Sequence, residues 1–400
     1  MSKVLFLNVR GHGHVNPTLG LVSELIKNGE EVIYYSYDEF KERIEKTGAT
    51  YKELKADVFK RPNPGVTNKH KSIEQMLNLI NTTLQSSESF IKDFLEEISD
   101  THFDYMVYGA SFPYGKIIAQ ILGIPSVSSF AIFATPKELI PDNKFDKGLL
   151  KDHPVMDTYN KFATNLKNTY GITIPSLIEL FFNKGDLNIA YTSEYFVAHP
   201  EYYDDTFRFI GPPIYDRKED LDFPFDKLEG KKVIYISLGT VFSAADLKVY
   251  DLFFEAFGNI DAVVVMTAYN VDTSNFSIPD NFIVKNYVPQ SAILKYTNVA
   301  ITHAGMNSTS DLIYNNVPFV AIPFGADQPY MASRAAELGA AIKLDVDKLS
   351  VEDLKKAVNK VLIDPSYYEN IKKISQSFEH SGGYRKAAEE IFKFKQKLAV

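Results

Sequence analysis

The alternation of short apolar runs with helical segments, begun at residue 4 and begun afresh at residue 232, restricts the fold of this chain more than any other feature. The apolar run Val4–Leu7, extended to residue 9, suits a strand buried on both faces. A turn rich in glycine and histidine, GHGH at 11–14, follows it. Asn16 is placed to cap the next helix and Pro17 to take its first position, with Leu19, Val22, Leu25 and Ile26 as the apolar stripe. Asn28-Gly29 ends that helix and EVIYYSY (31–37) begins a second strand, which makes a βαβ unit with a right-handed crossover. Further strands are expected at 103–109, 124–129 and 186–193, with a helix around 114–123. The longer segments 56–100 and 130–182, rich in Phe and Tyr, are expected to build a pocket over the sheet.

RFIGPPIYDR (208–217) reads as a domain junction, after which strands recur at 232–239, 261–267, 282–288, 299–305, 318–325 and 340–346. The expected fold class is α/β, with two doubly wound, Rossmann-like domains. Residues 1–210 would form the first, 211–375 the second, and 376–400 a helix returning to the first. Ligands of such domains sit beyond the carboxyl ends of the strands, so the loops there are the candidate site.

Composition narrows the function. Forty-three basic against 51 acidic side chains leave a net charge of −8, which argues against nucleic acid as the partner. The lack of cysteine excludes disulfides, thiolate zinc sites and cysteine nucleophiles. No stretch approaches the 18 or so apolar residues of a membrane span, and the first apolar run is too short for a secretory signal. A cytoplasmic protein without membrane contact is expected.

The first glycine turn supplies Gly11 and Gly13 of a dinucleotide fingerprint but Asn16 where its third glycine belongs, although Asp38 stands where a ribose-binding acid would. His14, on the functional edge, suits a general base, or alternatively a side chain that caps the turn. In THAGMNSTSDLI (302–313), Gly305, Asn307 and Ser308 come at a helix amino terminus, where N–H groups favour an anion, and His303 can donate to phosphate. NYVPQ (286–290) offers the Tyr287 ring for stacking on a base, with backbone at Val288 and the Gln290 amide for its polar edge. Asp311 can accept from a ribose hydroxyl, and Asp327 with Gln328 from the hydroxyls of a sugar. Each fragment alone also reads as a polar loop or cap; the ordered combination is what is specific.

With these motifs the chain resembles the family 1 inverting glycosyltransferases of the GT-B fold, among them the bacterial macrolide and flavonoid UDP-glucosyltransferases. The likeness rests on GHGHVNPTLGLVSEL at the start, SLGT at 237–240 and the run from Val288-Pro289-Gln290 through His303, Asn307-Ser308 and Asp327-Gln328. It implies two Rossmann-like domains facing across a cleft and transfer of a hexose, glucose in the first instance, from a UDP-sugar with no metal or cofactor. By the same resemblance, His14 is the base that deprotonates the acceptor and Tyr287 stacks on uracil. Gln290 and Asp311 contact the nucleoside, Thr240, His303, Asn307 and Ser308 hold the diphosphate, and Asp327 and Gln328 bind the hexose. The acceptor would be a small aromatic or macrolide molecule against Ser111, Phe112, Tyr114, Phe130 and Phe133, and the protein a monomer or homodimer.

Gly109 departs from the pattern, because the family usually carries an aspartate there that steadies the catalytic histidine. Ser111 is a weaker substitute, and Asp104 lies at the opposite end of the strand. A preference for acidic phenols or thiols over alcohols is therefore expected. The same glycine keeps open a nucleotide-sugar-binding protein with little or no catalysis, and an epimerase is a further alternative. Metal-dependent readings would rest on the D-x-D triplets at 345–347 and 220–222 or on pairing of His12 with His14.

Overall fold

Burial on both faces explains why the strands form as they do. In a computed structural model, which describes residues 2–55, 73–136, 138, 150, 153–214, 222–239, 247–325 and 327–398, Val4 to Leu7 are inaccessible to solvent. The first sheet comprises β1 (Lys3–Leu7), β2 (Glu31–Ser36), β3 (Thr50–Glu53), β4 (Tyr105–Gly109), β5 (Ser126–Phe130), β6 (Leu187–Ala190) and β7 (Phe207–Phe209). The second comprises β8 (Val233–Ser237), β9 (Val263–Thr267), β10 (Phe282–Lys285), β11 (Val299–Thr302), β12 (Phe319–Ala321) and β13 (Ala341–Lys343). Their orders, β3-β2-β1-β4-β5-β6-β7 and β10-β9-β8-β11-β12-β13, are those of two doubly wound sheets whose pairings are all parallel. The chain therefore has two Rossmann-like domains, and their topological switch points lie beside β1/β4 and β8/β11.

Six helices position the site: α1 (His12–Lys27), α2 (Ile73–Glu97), α3 (Met306–Tyr314), α4 (Gln328–Glu337), α5 (Pro365–His380) and α6 (Gly383–Leu398). Successive side chains of the second sheet alternate between two cores. Val233, Tyr235, Val265, Ala300 and Phe319 join a core continuous with that of the first domain, while Ile234, Ile236, Val264, Val299 and Val320 fill a separate one on the other face.

Two expectations are corrected. Helix α1 begins at His12, so Asn16 and Pro17 lie inside it rather than at its start; Gly11, at φ 134°, makes the turn that lets the helix begin early. The sequence does not announce the short edge strands β3, largely exposed, and β7, only three residues long and partly buried.

The carboxy-terminal helices clasp the first domain. Tyr384 of α6 donates from its hydroxyl to the Pro17 carbonyl at 2.7 Å, and any Cβ at Gly20 would stand 2.1 Å from the Tyr384 ring. Lys395 donates to Ser2 and to the buried Glu30, each at 2.8 Å. Arg208 of β7 pairs with Glu390 at 2.7 Å. Burial raises the Glu390 carboxyl, but hydrogen bonds from Lys386, Arg208 and Lys393 outweigh it and bring the group down to about 2.

Candidate active site

The turn after β1 presents His14 two residues into α1, half-buried, with its N–H donated to the Gly11 carbonyl at 3.0 Å. His12 faces elsewhere, edge-on to Phe40 at 5.2 Å and 3.5 Å from the Arg43 guanidinium. Pro17 has a specific effect here. A helix would satisfy the Gly13 carbonyl through the N–H of residue 17, and proline has none. That carbonyl instead accepts a hydrogen bond from the Asn307 amide of the second domain, at 2.9 Å. The turn after β1 and the loop before α3 are thus joined directly, across 294 residues of sequence.

The loop between β11 and α3 is built around the His303 ring. A Cβ on Gly239, which sits at φ 77°, would come 2.7 Å from that ring, and one on Gly305 would come 2.5 Å from it. Ala304 takes the left-handed conformation at φ 61°, a strain of about 1–3 kcal/mol held by the surrounding structure. Gly305 caps α3, whose first turn carries no acidic residue, so its N–H groups and dipole face an anion unopposed. Burial brings the His303 imidazole down to about 4, hence neutral at pH 7. Its Nδ1 and the Asn307 Oδ1 are buried and find no hydrogen-bond partner among the described residues. Asn307 and Ser308 lie half-buried on the same turn.

Beside this loop, Tyr287 is exposed to 37% and Val288 is buried. Gln290 is committed at both ends of its amide: Oε1 accepts from the Tyr235 hydroxyl at 3.0 Å and Nε2 donates to Asp311 at 2.6 Å. It therefore orients Asp311. Gln328 likewise turns inward, its Oε1 accepting from the N–H groups of Phe324 at 2.8 Å and Gly325 at 3.3 Å. Asp327 is at the amino terminus of α4, and burial raises its carboxyl above the usual range. It accepts from the Phe133 N–H of the first domain at 3.4 Å. Phe133 stacks on Tyr330 with ring centroids 3.8 Å apart, and the Tyr330 hydroxyl accepts from the Ala198 N–H at 3.0 Å. Arg334 adds hydrogen bonds to the carbonyls of Tyr195 and Phe196, so α4 ties this end of the cleft to the first domain.

Of the residues expected at an acceptor pocket, Ser111 is half-buried, while Phe112, Tyr114, Phe130 and Phe133 are all buried, Phe133 against Tyr330 of the second domain and the other three in packing within the first. Phe112 and Tyr114 meet Phe90 of α2, and the Tyr114 hydroxyl donates to the Thr83 carbonyl at 2.9 Å. Phe130 packs on Phe182 and Phe207. Aromatic residues after strands β4 and β5 are as well suited to core as to pocket, and only the side-chain direction separates the two.

Thr240 and the Asp220 and Leu221 positions of one D-x-D triplet lie outside the described residues. In the other triplet, Asp345 accepts from the Asp347 N–H at 3.0 Å and caps a short helix. Among the described residues, no group of three or more His, Asp or Glu side chains is placed to hold a metal ion, and no helix is long and apolar enough to cross a membrane.

Asn8 was missed by the sequence reading. It is fully buried at the end of β1, its Nδ2 donating to the His14 carbonyl at 2.9 Å, and the signal was available as the one amide inside an apolar run. Tyr330 and Arg334 carried no comparable signal.

A strand-to-helix histidine facing an anion-binding helix terminus across two Rossmann-like domains is the arrangement of a glycosyltransferase that takes its sugar from a nucleotide donor. Comparison with known proteins agrees. The family described as UDP-glucoronosyl and UDP-glucosyl transferase matches residues 225–381. The chain is 33% identical over 398 residues to the uncharacterized UDP-glucosyltransferase YojK of Bacillus subtilis (strain 168), covering 98% of this chain and 97% of that one. It is 35% identical over 397 residues to the uncharacterized UDP-glucosyltransferase YdhE of the same organism, covering 98% of each. The solved glycotransferase of kitacinnamycin shares the fold, with a TM-score of 0.82 at 23% identity over 98% of both chains. The chain belongs to the UDP-glucosyltransferase family and is a GT-B glycosyltransferase.

Proposed function

We propose that the protein transfers a hexose, glucose in the first instance, from a UDP-sugar to a hydroxyl of a small apolar acceptor such as a flavonoid, phenol or macrolide, with inversion and without a metal. A thiol or amine acceptor fits the same chemistry. The observation that carries this reading is the Asn307 to Gly13 hydrogen bond, which sets the His14 turn against the anion-binding end of α3. His14 takes the acceptor proton as the acceptor oxygen attacks the anomeric carbon, and the bond from that carbon to UDP breaks on the opposite face. The N–H groups at Gly305 to Ser308, with His303, stabilise the charge gathering on the leaving diphosphate. Tyr287 stacks on the base, Asp311 accepts from the ribose, and Asp327 accepts from sugar hydroxyls. A neutral His303 donates one hydrogen bond without adding a charge that a monoanionic competitor would share. Apolar Phe133 and Tyr330 form the wall between sugar and acceptor.

Turnover of UDP-glucose with a flavonoid phenol in the presence of a chelator, followed by mass spectrometry and by NMR of the anomeric centre, tests this. The expected product is a β-hexoside, and His14→Ala lowers its formation by about 10²–10⁴. An α-hexoside, or turnover that requires added metal, overturns the mechanism.

A further inference from the structure

We propose that Asn8 is a positioning residue for the reaction, and that Gly109 is a glycine because the Asn8 amide occupies the space its side chain would need. The inference rests on the reading of His14 as the base. β1 and β4 are neighbours, so the end of one faces the end of the other beneath the catalytic turn. A Cβ built on Gly109 would lie 2.3 Å from Asn8 Oδ1 and 2.9 Å from its Cγ, so any side chain at 109 requires the Asn8 amide to move. Its three closest neighbours are all atoms of Asn8.

The amide is held from every polar atom. Its Oδ1 accepts the Val9 N–H at 2.9 Å, while Nδ2 donates to the His14 carbonyl at 2.9 Å and to the Tyr34 hydroxyl at 3.2 Å. The Tyr34 hydroxyl is in turn 2.8 Å from Thr18 Oγ1, and Thr18 donates to the Val15 carbonyl at 2.7 Å. Burial pushes the Tyr34 phenol up to about 12 against the opposing pull of its hydrogen bonds to Thr18 and Asn8, so it remains a neutral hydroxyl at neutral pH. A closed polar chain of Asn8, Tyr34 and Thr18 thus fixes the backbone of residues 14 and 15 from below, within the buried core. Satisfied buried networks of this kind are rigid, and a displacement of about 1 Å at a base costs up to about 10²-fold in rate. A carboxylate at 109 would require the Asn8 amide to leave its place.

The test compares rates toward an aliphatic alcohol, which needs a well-placed base, and a nitrophenol, which needs little. The ratio of the two is independent of the fraction of protein that folds. Asn8→Ala is expected to lower the alcohol rate by about 10-fold or more relative to the nitrophenol rate. Gly109→Ala, which displaces the amide without removing it, shifts the ratio in the same direction. In the double variant the loss is no greater than in Asn8→Ala, since the Gly109 Cβ no longer meets the amide. An unchanged ratio in Asn8→Ala, with only a lowered thermal midpoint, makes the residue merely structural and overturns the proposal. Additive losses in the double variant separate Gly109 from Asn8 and overturn it too. His14→Ala is run in parallel: wild-type turnover there removes the base reading, and this proposal with it.

Discussion

The two strand-to-helix turns of the site, one after β1 and one after β11, have the same topology and are built in opposite ways. In the first, a glycine takes the strained conformation, Gly11 at φ 134°, and the histidine that follows is half-buried at the rim of the cleft. In the second, a non-glycine residue is strained, Ala304 at φ 61°, while Gly239 and Gly305 serve to make room for the His303 ring. Burial then keeps His303 neutral. Both histidines are half-buried, so the turns differ in what packs against the ring, the backbone of Gly239 and Gly305 against His303, rather than in how much of the residue solvent reaches. The same local topology presents a histidine in either setting, depending on which positions the glycines occupy.

The contrast can be broken most forcefully by exchanging the roles. His14→Ala should abolish turnover, by about 10²–10⁴, while calorimetry finds UDP bound as tightly as before. An equal loss of UDP affinity would mean the two turns do not divide the work. Next in size, Gly305→Ala or Gly239→Ala drives a methyl group into the His303 ring, an overpacking of about 1–3 kcal/mol. Weaker UDP binding and a lower thermal midpoint are expected, with Gly239→Ala the worse because its φ is also unfavourable to alanine. Unchanged UDP binding in both would show that the ring is not part of the cradle.

Asn307→Ala should have a smaller effect, on UDP affinity and turnover together. It removes the bond to Gly13, whose carbonyl Pro17 leaves without a helical donor, and such a bond is worth about 0.5–1.5 kcal/mol. A change confined to affinity would uncouple the two turns.

The last expected effect is one of pH on stability. The His303 ring is neutral in the fold down to about 4 but takes a proton near 6.5 when unfolded, so the unfolded chain binds more protons between those values. Its contribution is complete above pH 6.5 and declines as the pH falls toward 4. Thermal midpoints across that window should drop less when UDP is present, because a nearby diphosphate favours the charged imidazole. An identical slope with and without UDP would place His303 away from the phosphates.

Much of this was legible in the chain. Two series of buried parallel strands leave an apolar-helical alternation that few other folds produce, and the glycine-capped start of α3 is announced by its own glycine and asparagine. Local sequence also located His14 and Tyr287, whose placement follows from the ends of single strands. The start of α1 was misread because capping preference at Asn16 and Pro17 competed with a glycine turn whose φ is invisible in sequence.

What only the tertiary structure decided are the contacts between distant segments. That Asn8 fills the space beside Gly109, that Asn307 answers the carbonyl freed by Pro17, and that Phe133 stacks on Tyr330 while Phe112 and Tyr114 turn to the core all depend on where side chains from different elements meet. Periodicity and local propensity act within one strand or helix and fix which face is buried. The partner across a sheet or a domain cleft is chosen by packing and by the need to satisfy buried polar groups, which are properties of the assembled fold.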